Sequence, residues 1–98
     1  LENVYEVCLC HELAKRNLSH QRQVVVPIVY DGVTFDEGFR IDVLVDDRVI
    51  CELKAVEKPL PVHTAQLLTY LKLTERRLGY LINFNVPLIK HGIKRVVL

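Results

Sequence analysis

The sequence predicts an α/β domain, a central mixed β-sheet flanked by helices, in the order α-β-β-β-α-β-β. Three observations predict it. Leu1, Val4, Tyr5, Cys8, Leu9 and Leu13 recur at helical spacing. Apolar, β-branched runs at 39–45, 49–56 and 78–84 read as strands. Between the last two, Pro59 and Pro61 break the chain, and Thr64, Leu67, Leu68 and Leu71 then form a second helical stripe over about 62–76. Strands and amphipathic helices in this order bury their apolar faces by layering helices on a sheet.

Each element has its own signals. The first helix should run over 1–16, with Lys15 and Arg16 at its C-terminal end, where the dipole favours cations, and Asn17 as its stop. Residues 21–30 (QRQVVVPIVY) read as a strand at a sheet edge, or bulged, because Pro27 cannot donate to a ladder. Asp31-Gly32 is a hairpin turn signal; VTF follows, then a loop with Glu37-Gly38. Asp46-Asp47-Arg48 turn the chain between the next two strands, and IKRVVL ends it as a last short strand.

The 98 residues, half of them hydrophobic, suit one domain over 1–98. A net charge of +1 is neither a basic nucleic-acid arm nor an acidic tail, so any such binding rests on local patches. Lys15-Arg16, Arg76-Arg77 and Lys90 with Lys94-Arg95 are the candidates, against the plainer reading of solvated surface. Cys8, Cys10 and Cys51 are odd in number and lack C-x-x-C spacing; they read as reduced apolar fillers, and a cytoplasmic location is expected. No apolar run approaches the roughly 18 residues of a membrane helix, and no membrane partner is expected. With no G-x-G-x-x-G or P-loop, no nucleotide cofactor is expected.

The informative stretch is VICELKAV, residues 49–56, which sets Glu52 and Lys54 inside an apolar strand. Charge there is costly unless paired, metal-bound or facing water. Alternation puts Glu52 and Lys54 on one face, and Cys51, Leu53 and Ala55 on the other. On the partner strand Arg40, Asp42 and Leu44 share a face, opposite Ile41, Val43 and Val45. A three-residue loop, 46–48, pairs Val45 with Val49 and brings Asp42 opposite Glu52, their Cβ atoms roughly 5 Å apart. Two carboxylates so placed repel. A divalent cation offsets that, since Mg²⁺ and Mn²⁺ prefer oxygen ligands, and Lys54 stands ready for a phosphate or attacking water. Ordinary solvent-exposed ion pairs are the competing reading.

Asp42 followed by Glu52-Leu53-Lys54 resembles the D…(D/E)-x-K core of the PD-(D/E)XK nuclease superfamily. Gln66-Leu67-Leu68-Thr69-Tyr70 resembles the Q-x-x-x-Y motif of one nuclease branch; its Gln and Tyr are one turn apart on a helix. Glu2-Asn3-Val4-Tyr5 resembles the end of the G-x-x-E-x-x-Y motif that names the GxxExxY family within that superfamily. The segments VYEVCLCHEL, PIVYDG, GFRIDVLVDDRVICELKAVE, HTAQLLTYLKLT and RLGYLINFNVPLIKHGIKR are similar to that family's segments, in order.

The resemblance implies a restriction-endonuclease-like core and a Mg²⁺- or Mn²⁺-dependent nuclease, acting on DNA. Asp42 and Glu52 would be metal ligands, with the Leu53 backbone carbonyl as a further one. Lys54 would be the catalytic lysine and Glu2 a helix carboxylate reaching toward the metal, with Glu6 the alternative one turn on. Gln66 and Tyr70 would support the site or touch substrate. The alternative function is a non-catalytic nucleic-acid-binding or protein-interaction module on the same fold. Bare apolar edges and a small core leave room for a homodimer. Arg40 is a phosphate contact or an ion-pair partner. His63 is a surface histidine or a helix cap, and His11, His20 and His91 lack metal-ligand spacing. Asn83 and Asn85 are expected to serve a turn after the last long strand.

Overall fold

A computed structural model describes residues 1–36 and 38–98. Glu37, expected in a loop, lies outside the described residues. Helix α1 spans Glu2–Lys15 and helix α2 spans Pro61–Leu73. Both end on a left-handed residue, Asn17 at φ 57° and Glu75 at φ 55°. That conformation turns the following N–H back onto the helix: Leu18 donates to the Leu13 carbonyl at 3.0 Å and Arg76 to that of Leu71 at 2.9 Å. Asn17 is therefore the expected stop.

The strands are β1 (His20–Val25), β2 (Ile28–Tyr30), β3 (Val33–Phe35), β4 (Arg40–Val45), β5 (Val49–Lys54), β6 (Leu78–Asn83) and β7 (Ile93–Val97). Five form the mixed sheet, in the order β1-β4-β5-β6-β7. β5 and β6 run parallel, with α2 as the crossover, and the other neighbours are antiparallel.

The strand expected over 21–30 is two strands. Pro27 has no N–H for the ladder, so β1 stops at Val25 as an edge strand. β2 then pairs with β3 in a separate hairpin around Asp31 (φ 53°) and Gly32 (φ 74°). The observed order thus carries two strands more than the expected one.

The core lies on both sides of the sheet. Ile41, Leu44, Ile50, Leu81 and Val96 pack with Leu67, Tyr70 and Leu71 of α2. Val43, Cys51, Leu53 and Ile82 pack with Cys10 of α1. Gly79 lets α2 approach closely: a Cβ there would lie 2.8 Å from Leu67 Cδ1 and 3.1 Å from the Ile50 carbonyl oxygen. Cys10 and Cys51 are buried fillers, as expected, and burial pushes the Cys51 thiol up to about 12; Cys8 is exposed.

The buried face of α1 is a correction. Val4 and Cys8 are exposed, and Glu6 and Cys10 are buried instead. A reading from apolar spacing skips a glutamate, so it misses a stripe in which a paired Glu6 holds a core position. Among the described residues no helix is long and apolar enough to cross a membrane.

Candidate active site

The β4–β5 hairpin has the register its turn length implies. Val45 pairs with Val49, Leu44 with Ile50 and Val43 with Cys51. Arg76 holds the turn, donating to the Asp47 carbonyl oxygen (3.0 Å) and to its Oδ1 (2.7 Å). It is thus spoken for as half of an expected basic patch. One step beyond Val43 the ladder stops, at Asp42 and Glu52. β4 stays paired with β1 through Ile41 and Arg40, and β5 with β6 through Lys54. The two central strands therefore fork. Each carboxylate meets a backbone donor of the other strand: Asp42 N–H donates to Glu52 Oε1 at 3.2 Å, and Leu53 N–H to Asp42 Oδ2 at 2.8 Å.

Simple alternation fails at Asp42. Ile41 and Val43 were expected on one face, yet Ile41 packs with Leu44 under α2 and Val43 with Cys51 under α1. The neighbouring edge strand carries the matching distortion. Gln23, at φ 52°, lies between the paired Arg22–Val43 and Val24–Ile41 positions. The register is the same on both sides of Gln23, so no residue is inserted; the left-handed backbone there is a local twist beside Asp42. Here Asp42 comes to line a cavity of about 130 Å³ with Leu53, Gln23 and, from α1, Glu2, Asn3 and Glu6. Glu52 and Lys54 are not among its walls.

Glu52 is 4% exposed and Asp42 is half-buried. Burial, followed by the charge of Asp42, pushes the Glu52 carboxyl up from 4.5 to about 9. Burial raises Asp42 as well, against the pull of the Leu53 N–H. Lys54, half-buried at the end of β5, lowers both, but as the smallest influence on each. Among the described residues no three His, Cys, Asp or Glu side chains stand close enough together to hold a metal. The candidate donors expected from the sequence are two carboxylates, Asp42 and Glu52, and the Leu53 backbone carbonyl. That set suits Mg²⁺, which takes one or two carboxylates and keeps water or phosphate in its other positions. Backbone N–H groups engage only one oxygen of each acid.

Gln66 and Tyr70 meet as their spacing implies, Gln66 Nε2 donating to the Tyr70 hydroxyl at 3.1 Å. Tyr70 is buried and packed edge-on to Phe39. Burial, then the Glu52 charge, raises its pKa, so the hydroxyl stands within electrostatic reach of the acid pair. Arg40 itself is exposed at the start of β4. His63 caps α2: its Nδ1 accepts the Leu60 N–H at 3.2 Å.

On α1 the two candidate acids differ. Glu2 is exposed at the cavity mouth, whereas Glu6 is 3% exposed and already engaged. Arg22 donates to Glu6 Oε2 through Nε (3.1 Å) and Nη2 (2.7 Å), and Gln23 Nε2 donates to Oε1 at 2.6 Å. Sequence reasoning passed over Arg22 and Gln23, which sit in a polar strand start with no motif around them. Asn83 serves the expected turn after β6, its Oδ1 accepting the Asn85 N–H at 3.2 Å. It is also buried and ties β6 to the segment after Lys54, accepting the Val56 N–H (3.1 Å) and donating to the Val56 carbonyl (2.9 Å). Tyr5 stacks on Phe84 at 4.5 Å, fixing α1 over the same end of the sheet.

A family model described as the PD-(D/E)XK nuclease superfamily matches residues 1–96. The chain belongs to this superfamily. Its α/β fold, with a mixed central sheet between helices, is the restriction-endonuclease-like one expected. The crystal structure of SSO0001 superposes with a TM-score of 0.72 at 20% identity, over 98% of this chain and 50% of that one. At that identity the likeness is one of fold, and this chain spans half the length of that protein. No curated protein matches.

Proposed function

We propose that the chain is a Mg²⁺- or Mn²⁺-dependent nuclease that hydrolyses phosphodiester bonds of DNA, within the GxxExxY branch of its superfamily. The observation that carries this reading is the Asp42–Glu52 pair at the strand fork, Glu52 buried and Asp42 half-buried, with Lys54 two residues beyond Glu52. Asp42, Glu52 and the Leu53 carbonyl would hold the divalent ion, which when bound would acidify water and neutralise charge at the phosphate. Lys54 offers a compact positive charge to the phosphate or to the attacking water. Gln66 and Tyr70 brace the far side of the acid pair, and Glu2 at the cavity mouth accepts hydrogen bonds from water entering the site.

The test is cleavage of labelled DNA and RNA substrates in Mg²⁺ and in Mn²⁺, with Lys54→Ala run alongside. Wild-type cleavage on DNA, lost in a folded Lys54→Ala protein, is the expected result. Calorimetry with Mn²⁺ that gives no heat on folded protein, together with no cleavage, sinks the enzyme reading. It would favour a non-catalytic binding module on the same fold.

A further inference from the structure

The expected basic patch at Lys90, Lys94 and Arg95 resolves into two opposite faces. Lys94 pairs across β7–β6 with Leu81, and Leu81 pairs across β6–β5 with Glu52. Glu52, Leu81 and Lys94 thus form one row across the sheet, and Lys54–Asn83 is the row two residues on. Leu81 and Val96 pack under α2, so this whole set lies on the α2 side. The Lys94 ammonium confirms the side by donating to Thr64 Oγ1 of α2 at 3.1 Å. Arg95 pairs with Tyr80, which packs on the α1 side.

Lys94 and His91 line a groove of about 190 Å³, floored by Leu81 and Asn83 and rimmed by Pro59 and Glu57. Two strand spacings put Lys94 about 10 Å from Glu52, on the same face as Lys54. From the charge of this edge and its continuity with the acid pair and Lys54, we infer that the groove carries the nucleic-acid backbone away from the proposed cleavage site. Lys94 contacts a phosphate one or a few nucleotides from the scissile one, and His91 lies beside it. Glu57 stands on the rim and limits the track to the β7 side. The inference rests on the nuclease reading and adds to it the direction in which substrate leaves the site.

The test is binding of a fluorescein-labelled DNA oligonucleotide, single-stranded and duplex, measured by anisotropy without divalent metal over a salt series. Arg95 is the built-in control, an adjacent exposed cation on the same strand but the opposite face. Lys94→Gln, which keeps a donor for Thr64, should weaken binding several-fold and reduce the slope of log K against log[salt] by about 0.9 on duplex. Lys94→Glu should weaken binding tenfold or more, and Arg95→Glu should stay within twofold of wild type. Equal losses at Lys94 and Arg95, or no loss at Lys94, overturn the inference while leaving the nuclease reading intact. Wild-type protein that neither binds nor cleaves any oligonucleotide overturns both. Thermal melts of each variant separate lost contact from lost fold.

Discussion

Two glutamates in this chain are almost equally buried, Glu6 at 3% and Glu52 at 4% exposure, and their surroundings are opposite. Glu6 meets a guanidinium fork and an amide, three donors between 2.6 and 3.1 Å. Glu52 meets one backbone N–H at 3.2 Å and another acid. A buried charge must be matched or it shifts toward neutrality. Glu6 is matched from within the chain. Glu52 is left to bind a proton, and its pKa of about 9 is the consequence. The contrast separates a carboxylate that holds the fold together from one that no cation of the described residues matches.

The sharpest way to break this contrast is activity. Glu52→Gln should lower Mn²⁺-dependent cleavage by roughly a hundredfold or more, since charge stabilisation by a metal amounts to several kcal/mol. Glu6→Gln should keep cleavage within about tenfold, as measured by initial rates on the preferred substrate. Equal losses would make Glu6 a member of the site.

Metal-induced stabilisation comes next. At a hundred times its dissociation constant, Mn²⁺ should stabilise the wild type by about 2.7 kcal/mol in a thermal melt. Glu6→Gln should keep that response and Glu52→Gln should lose it. A response that survives in Glu52→Gln would place the ion elsewhere.

Without metal, the same substitution should act with opposite sign at the two positions. Glu6→Gln weakens hydrogen bonds to a charged group and should cost about 1.5–3 kcal/mol. Glu52→Gln keeps an acceptor for the Asp42 N–H and removes the repulsion, so it should raise the melting temperature at pH 8–9. A fall there would mean that a structural partner satisfies Glu52.

The last test is the pH slope. The folded-state pKa of Glu52 lies above its ordinary 4.5, so between there and about 9 the folded chain binds more protons than the unfolded one. Metal-free stability is then fullest below about pH 4.5 as far as this group is concerned, and is lost as pH rises toward 9. Asp42, also raised, adds with the same sign. Denaturant melts from pH 5 to 9 should fall progressively for wild type and less for Glu52→Gln. A flat wild-type profile would refute the shared burial of the two acids.

The sequence by itself determined whatever depends on short-range geometry. The three-residue turn set the Val45–Val49 register, and with it Asp42 across from Glu52. One helical turn set Gln66 against Tyr70, and Asn17 and Asp31-Gly32 marked a stop and a hairpin because left-handed backbone suits those residues. Only the tertiary structure decided what depends on strands and helices distant in the chain. Asp42, beside the left-handed Gln23 of β1, turns toward α1, which no alternation rule within β4 contains. Arg22 claims Glu6 and leaves Glu2 exposed at the cavity, and the pairing of β7 with β6 sends Lys94 and Arg95 to opposite faces. The physical reason is range. Turn lengths and helical periods are properties of a few consecutive residues, whereas the partner that neutralises a buried charge is chosen by whatever the folded chain brings beside it.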